Sequence, residues 1–268
     1  MIDRGRHNVL GVMVNAVDYE AAVAQVVSAG HSRRPLAVSA LAVHGVMTGV
    51  LDAEHRYRLN ALDLVVPDGQ PVRWALNRLH QTALTDRVYG PMLMLKTCDK
   101  AATEGLPIFL FGGLESLQKT LQEKLVERFP DLQIASWQAS KFRQLAPEER
   151  DQTVAHILAS GAAITFVGLG CPRQEVWADE FRDALSMPIL AVGAAFSFHA
   201  GLLPQAPRWM QVSGLEWVYR LAAEPSRLWR RYLLLNPLYA SMLALQAMRL
   251  RAFNPEHAIE PERELLHG

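Results

Sequence analysis

Cysteine is scarce in this sequence: Cys98 and Cys171 are the only two in 268 residues, and they form no CxxC pair. This argues against a disulfide framework and against a thiolate zinc site. An excess of one charge is also missing, because 27 basic residues meet 27 acidic ones, so no global field steers the chain toward nucleic acid. No apolar run reaches the roughly eighteen residues of a spanning helix. The nearest approach, Tyr232 to Met248, is broken by Asn236 and Pro237. The opening MIDRGRHNVLGVMV lacks the long apolar core and small-residue cleavage site of a secretory signal, so a cytoplasmic location is expected. Walker, GxSxG and HExxH sequences are absent as well, which removes the usual signatures of P-loop nucleotidases, α/β-hydrolases and zinc peptidases.

What is present is an alternation of short apolar runs with stretches of helical spacing. Half of the residues are apolar, enough for one substantial core. Strands are expected at Val9 to Val14, Leu36 to Val43, Leu64 to Val66, Ile108 to Phe111, Gln133 to Trp137, Ile164 to Val167 and Ile189 to Val192. Helices are expected between them, at Tyr19 to Ala29, Ser116 to Phe129, Pro147 to Ser160 and Gln174 to Leu185. The pattern predicts an α/β fold, a Rossmann-like and mostly parallel sheet with helices on both faces. Beyond Pro204 the texture turns to arginine, tryptophan and leucine, so residues 1–204 are assigned to the α/β domain and 205–253 to a basic, aromatic-rich helical appendage. Residues 254–268 carry too little apolar content to pack and are expected to be a mobile tail.

Several strands end in glycine and run into a helix: Gly112 and Gly113, Gly168 and Gly170, and Gly193. Free N–H groups at the helix starts that follow suit a phosphate-bearing ligand at the C-terminal edge of the sheet, although a glycine after a strand is more often only a turn. A dinucleotide fingerprint at Gly168 fails, because Arg173 stands at the third glycine position. Ser197 and His199 invite a hydrolase reading that lacks a third member. Asp68, in VVPDGQPV, sits at the lip of an apolar run with Gly69 after it, the placement of a general base or of a common Asp-Gly turn. Arg173, Gln174 and Glu175 begin a helix where side chains can point into a crevice, although a run of polar residues is usual at a helix start and Glu175 would by itself complement the helix dipole. In the appendage, Arg220, Arg227 and Arg230 fall on one side of a continuous helix, and seven arginines face two acids between Arg208 and Arg251. Such a segment suits a pyrophosphate, an anionic lipid surface, or both, and its tryptophans and tyrosines suit a water–lipid boundary.

The blocks LDLVVPDGQPVRWA, RVYG, IFLFGG, FPDLQI, FVGLGCPRQEVW, VGAAFSFHAG, APRWMQVSGLEWVYRL and EPSRLWRRYLLLNP occur in one order from about Leu36 to Pro237. In this the chain resembles the WecG/TagA/CpsF family of bacterial glycosyltransferases. The resemblance implies an inverting transfer of a sugar from a UDP-sugar to a polyprenyl-diphosphate-linked saccharide, at the cytoplasmic face of the inner membrane, in exopolysaccharide or cell-envelope polymer synthesis. It implies Asp68 as catalytic base, with Arg87 and Gln174 lining the sugar and acceptor pocket; Gly69, Arg173 and Glu175 join them by their places beside Asp68 and Gln174 in the sequence. It further implies that Arg220, Arg227 and Arg230 close over the UDP diphosphate, and the strand-end positions of Gly112, Gly113, Gly168, Gly170 and Ser197 add these residues to the same side. No cofactor is implied, and with no DxD motif in the chain the arginines replace a divalent metal.

The chain departs from the family pattern at Ala40 and Ala42, where threonine and asparagine are usual, at Met92, and at Ser197, both of the latter usually aspartate. These losses bear on which donor is recognised. They also leave a second reading, a weakened member that binds sugar nucleotide or lipid carrier and assists an assembly complex. A third is a soluble nucleotide-binding protein whose appendage is a dimer interface.

Overall fold

A computed structural model describes residues 1–268. The chain opens with a hairpin, β1 (Asp3–Val9) and β2 (Val12–Val17), followed by α1 (Tyr19–His31). Then come β3 (Leu36–Leu41), α2 (Val43–Leu51), α3 (Ala53–Ala61), β4 (Leu64–Pro67), α4 (Gln70–His80) and α5 (Gly90–Glu104). The next units are β5 (Ile108–Phe111), α6 (Glu115–Arg128), β6 (Ile134–Gln138), α7 (Pro147–Ala159), β7 (Ile164–Val167), α8 (Arg173–Phe181), β8 (Pro188–Ala191) and α9 (Ala195–His199). Three helices close the chain, α10 (Arg208–Val212), α11 (Glu216–Ala223) and α12 (Pro225–Ala247).

Six strands form one parallel sheet in the order β4-β3-β8-β7-β5-β6. The expected α/β fold with helices on both faces is therefore present. β4, β5, β7 and β8 are buried along their whole length, which is why these runs are almost entirely apolar instead of alternating. Val38, Val66, Leu110, Phe166 and Leu190 face α1, α5, α6 and α9. Their neighbours Leu41, Val65, Phe109, Val167 and Ile189 face α2, α3, α4, α7, α8 and α12.

This division of faces makes the crevice. β3 sends its chain to α2 on one face, and adjacent β8 sends its chain to α9 on the other, so the two connections part above the strand ends.

Two expectations are corrected. The strand expected over Val9 to Val14 is a hairpin, turning at Leu10 (φ 57°) and Gly11 (φ 88°), where the Asn8 side chain accepts the Gly11 N–H at 2.7 Å. Two positive φ values match the twist of a two-residue hairpin. The tail expected to be mobile is tied down. Glu180 accepts the N–H groups of Leu265 and Leu266 at 2.7 and 2.9 Å, Arg58 donates to the Arg263 carbonyl at 3.0 Å, and His267 bridges to Gln144. Hydrogen bonds to its backbone groups, which composition does not register, hold it.

Candidate active site

Asp68 follows β4 at the mouth of the crevice. Its Oδ1 accepts the Gly90 N–H at 2.6 Å, so the first turn of α5 fixes the carboxylate. Burial pushes its pKa up to about 6, against the lowering pull of Arg87, the Gly90 hydrogen bond and Arg220. Such a carboxylate exchanges a proton near neutrality, as a general base must.

Asp68 borders two cavities that meet at Ala42, Glu216, Arg220 and Arg231. The larger, about 320 Å³, runs over the ends of β3, β7 and β8 past Gly168, Gly170, Gln174, Gly193 and Ser197. The smaller, about 90 Å³, lies toward Gly69, Arg87, Trp217, Tyr232 and Asn236. The appendage thus forms one wall of both.

Arg87 and Glu216 form a buried ion pair, Nη2 to Oε2 at 2.6 Å, and the guanidinium lies 4.2 Å from the centre of the Tyr89 ring. The pair joins the α/β domain to α11. Arg87 therefore lines the smaller cavity with part of its donor set already engaged.

Gln174 uses both ends of its amide. Oε1 accepts the Gly170 N–H at 3.1 Å, and Nε2 donates to Glu175 at 2.9 Å. Glu175 is buried in the first turn of α8, where Oε1 also accepts from Ser39 at 3.2 Å and Oε2 has no partner. Burial raises its pKa. His55, Cys171 and Glu175, with ligand atoms within 4.8 Å of one another, are the residues whose chemistry suits a metal ion.

Three basic groups face the larger cavity. Arg220 is one, its guanidinium 5.6 Å from the Phe198 ring centre. Arg227 is held by Glu224 through two hydrogen bonds, at 2.8 and 2.6 Å. Arg231, absent from the sequence assignment, is mostly buried without an acidic partner, and burial lowers its pKa. Arg230 is exposed instead and lies against Trp229, with 5.2 Å to the ring centre, so it does not border either cavity.

Other assigned residues also fall outside. Gly112 (φ 111°) packs on the Gly168 backbone, with space for no Cβ, and Gly113 packs on Leu117. Neither borders either of the two cavities, and both pack closely against neighbouring chain. Arg173 folds back onto the Leu169 carbonyl at 3.0 Å. His199 bonds the Pro91 carbonyl at 2.8 Å rather than Ser197. Of the four departures, Ala40, Ala42 and Ser197 line the larger cavity, whereas Met92 is exposed outside it.

Sequence reasoning missed Tyr89, Glu216 and Arg231. Tyr89 lies inside the RVYG block and Glu216 inside GLEW, so a signal was present for both, but only tertiary contact shows that they meet Arg87. A family model described as "Glycosyl transferase WecG/TagA/CpsF family" matches residues 7–253.

Proposed function

The chain belongs to the WecG/TagA/CpsF family of glycosyltransferases, and from that premise we propose that it transfers a sugar from a UDP-sugar to a polyprenyl-diphosphate-linked saccharide, with inversion. The observation that carries this reading is Asp68, a carboxylate with its pKa near neutrality, at the junction of two cavities and opposite an arginine wall.

The ionised Asp68 takes the proton of an acceptor hydroxyl. The freed oxygen pair bonds to the anomeric carbon as the bond from that carbon to the diphosphate oxygen breaks. UDP leaves with the bonding pair, and its added charge falls to Arg220, Arg227 and Arg231. These arginines take the part that a divalent ion on a DxD motif takes in many sugar-nucleotide enzymes. Gly168, Gly170, Gly193 and Ser197 border the donor side, and Gly69, Arg87 and the start of α4 border the acceptor side.

No helix is long and apolar enough to cross a membrane. The appendage nonetheless exposes Trp209, Val212, Trp229, Leu233 and Leu234 together with Arg230. This mixture supports shallow docking on an anionic bilayer, where the acceptor resides.

Ala40 and Ala42 line the larger cavity with methyl groups, which favours one further reading, a member that binds sugar nucleotide with weakened turnover. Turnover with a UDP-sugar panel separates the two. A member that binds UDP yet transfers from no donor in the presence of membranes would fit the second reading alone.

A further inference from the structure

Beyond the smaller cavity the wall opens into an apolar groove of about 570 Å³ between α4 and α12. Cavity and groove share Val43, Pro71, Gly214, Trp217 and Asn236, so they are one continuous channel. Along α12 the lining runs Asn236, Tyr239, Ala240, Leu243, Ala244 and Ala247, the three- and four-residue spacing of a single helix face. From Asn236 to Ala247 that face is roughly 16 Å long at the helical rise.

Small residues keep the trough open. Ala240 and Ala244 are exposed where larger side chains would close it. The opposite wall is Trp74, whose ring is seated on Gly214: a Cβ there would meet the indole at 2.6 Å, and the backbone has φ 77°. Tyr239 forms the floor by donating to the Pro71 carbonyl at 3.2 Å. Arg78 is the one charged side chain in the lining.

We propose that this groove holds the first part of the isoprenoid chain of the lipid-linked acceptor, so that the chain leaves the catalytic junction along α12 and not straight into the bilayer. The inference rests on the reading of the substrate given above. Its grounds are the continuity with the Asp68 cavity, the mostly apolar lining and its course along one face of α12. A polar saccharide or a nucleotide would find few hydrogen-bonding side chains there beyond Arg78, Ser213 and Asn236. An isoprenoid gains by leaving water. Placing that chain in the groove also sets the position of the diphosphate and sugar attached to it, at the end where Asn236 meets the smaller cavity.

The test uses the full chain and geranylgeranyl diphosphate bearing a benzophenone at its far end, with UDP in excess to occupy the nucleotide site. After irradiation, labelled peptides are mapped by mass spectrometry. The label is expected within residues 236–247 or beside Trp74. Ala244→Trp, which fills the trough from an exposed position, and Trp74→Asp, which places a charge in its half-exposed wall, are each expected to cut labelling about tenfold, the loss of roughly one well-buried apolar contact. Should Ala244→Trp fail to fold, Trp74→Asp carries the test. Labelling confined to Trp209, Leu233 or Leu234 would overturn the proposal in favour of contact with a lipid surface alone. Label bridging two copies, or labelling unchanged in the folded variants, would overturn it equally. Because the probe needs no sugar transfer, a wild-type chain that labels as expected but transfers no sugar would remove the proposed reaction and leave the groove standing.

Discussion

Arg87 Nη2 lies 2.6 Å from Glu216 Oε2, with both side chains buried, and this one pair joins the end of the α4–α5 connection to the first turn of α11. It sets where the appendage stands over Asp68. Removing one partner leaves the other charge buried and uncompensated, which typically costs about 3–5 kcal/mol. Glu216→Ala should lower the urea midpoint accordingly and speed proteolysis within residues 205–247. Arg87→Met combined with Glu216→Leu should recover much of the stability while transfer stays impaired. A Glu216→Ala chain with unchanged stability and proteolysis would show that the pair does not hold the appendage.

The Asp68 carboxyl is expected to set the acidic limb of the pH profile. With its pKa raised to about 6 the group is ionised above that value, so kcat/KM should rise through about pH 6 and level off. Asp68→Asn should lose that limb and at least about a hundredfold in turnover, the usual contribution of a positioned base. Stability moves the other way. A carboxyl whose folded pKa is raised stabilises the fold below its unfolded pKa and loses that contribution as pH climbs through the folded one. Asp68→Asn should therefore melt higher than wild type at pH 8, with the gap closing toward pH 4. Equal melting temperatures across that range would contradict the burial of an ionised carboxylate.

Arg231 and Arg230 are adjacent in sequence and face opposite surroundings, so their substitution should separate two properties. Arg231→Gln should weaken UDP binding about tenfold or more, the worth of a charge-assisted hydrogen bond, and leave vesicle flotation intact. Arg230→Gln should weaken flotation on anionic vesicles and leave UDP binding near wild type. Equal effects of both on UDP binding would refute the assignment. Excess EDTA should leave turnover unchanged.

Much of the fold was legible because its signals are local. β5 and β7 fall at the bounds their apolar runs marked, since a buried parallel strand followed by glycine leaves little freedom in where it ends. The hairpin was missed because Leu10-Gly11 carries none of the Asn-Gly or Asp-Gly chemistry that announces such a turn. The resemblance and the spacing on one continuous helix both point to Arg230 beside Arg220 and Arg227. The chain breaks at Glu224 (φ −134°) and restarts at Pro225, and in α12 the four-residue spacing puts Arg227 and Arg231 toward the cavity. Asp68 was legible as a carboxylate at a strand end. That α5 donates its Gly90 N–H to Asp68, and that Glu216 faces Arg87, are long-range facts that no local pattern holds.

The most direct measurement is transfer itself. Wild-type protein and Asp68→Asn are incubated with bacterial membranes and a panel of radiolabelled UDP-sugars, and the lipid fraction is extracted. One donor is expected to label the lipid fraction with wild type, with the label reduced about a hundredfold or more by Asp68→Asn. Label from no donor, or equal label with both proteins, would contradict the assignment of Asp68 as the base of a UDP-sugar transferase acting on a lipid-linked acceptor.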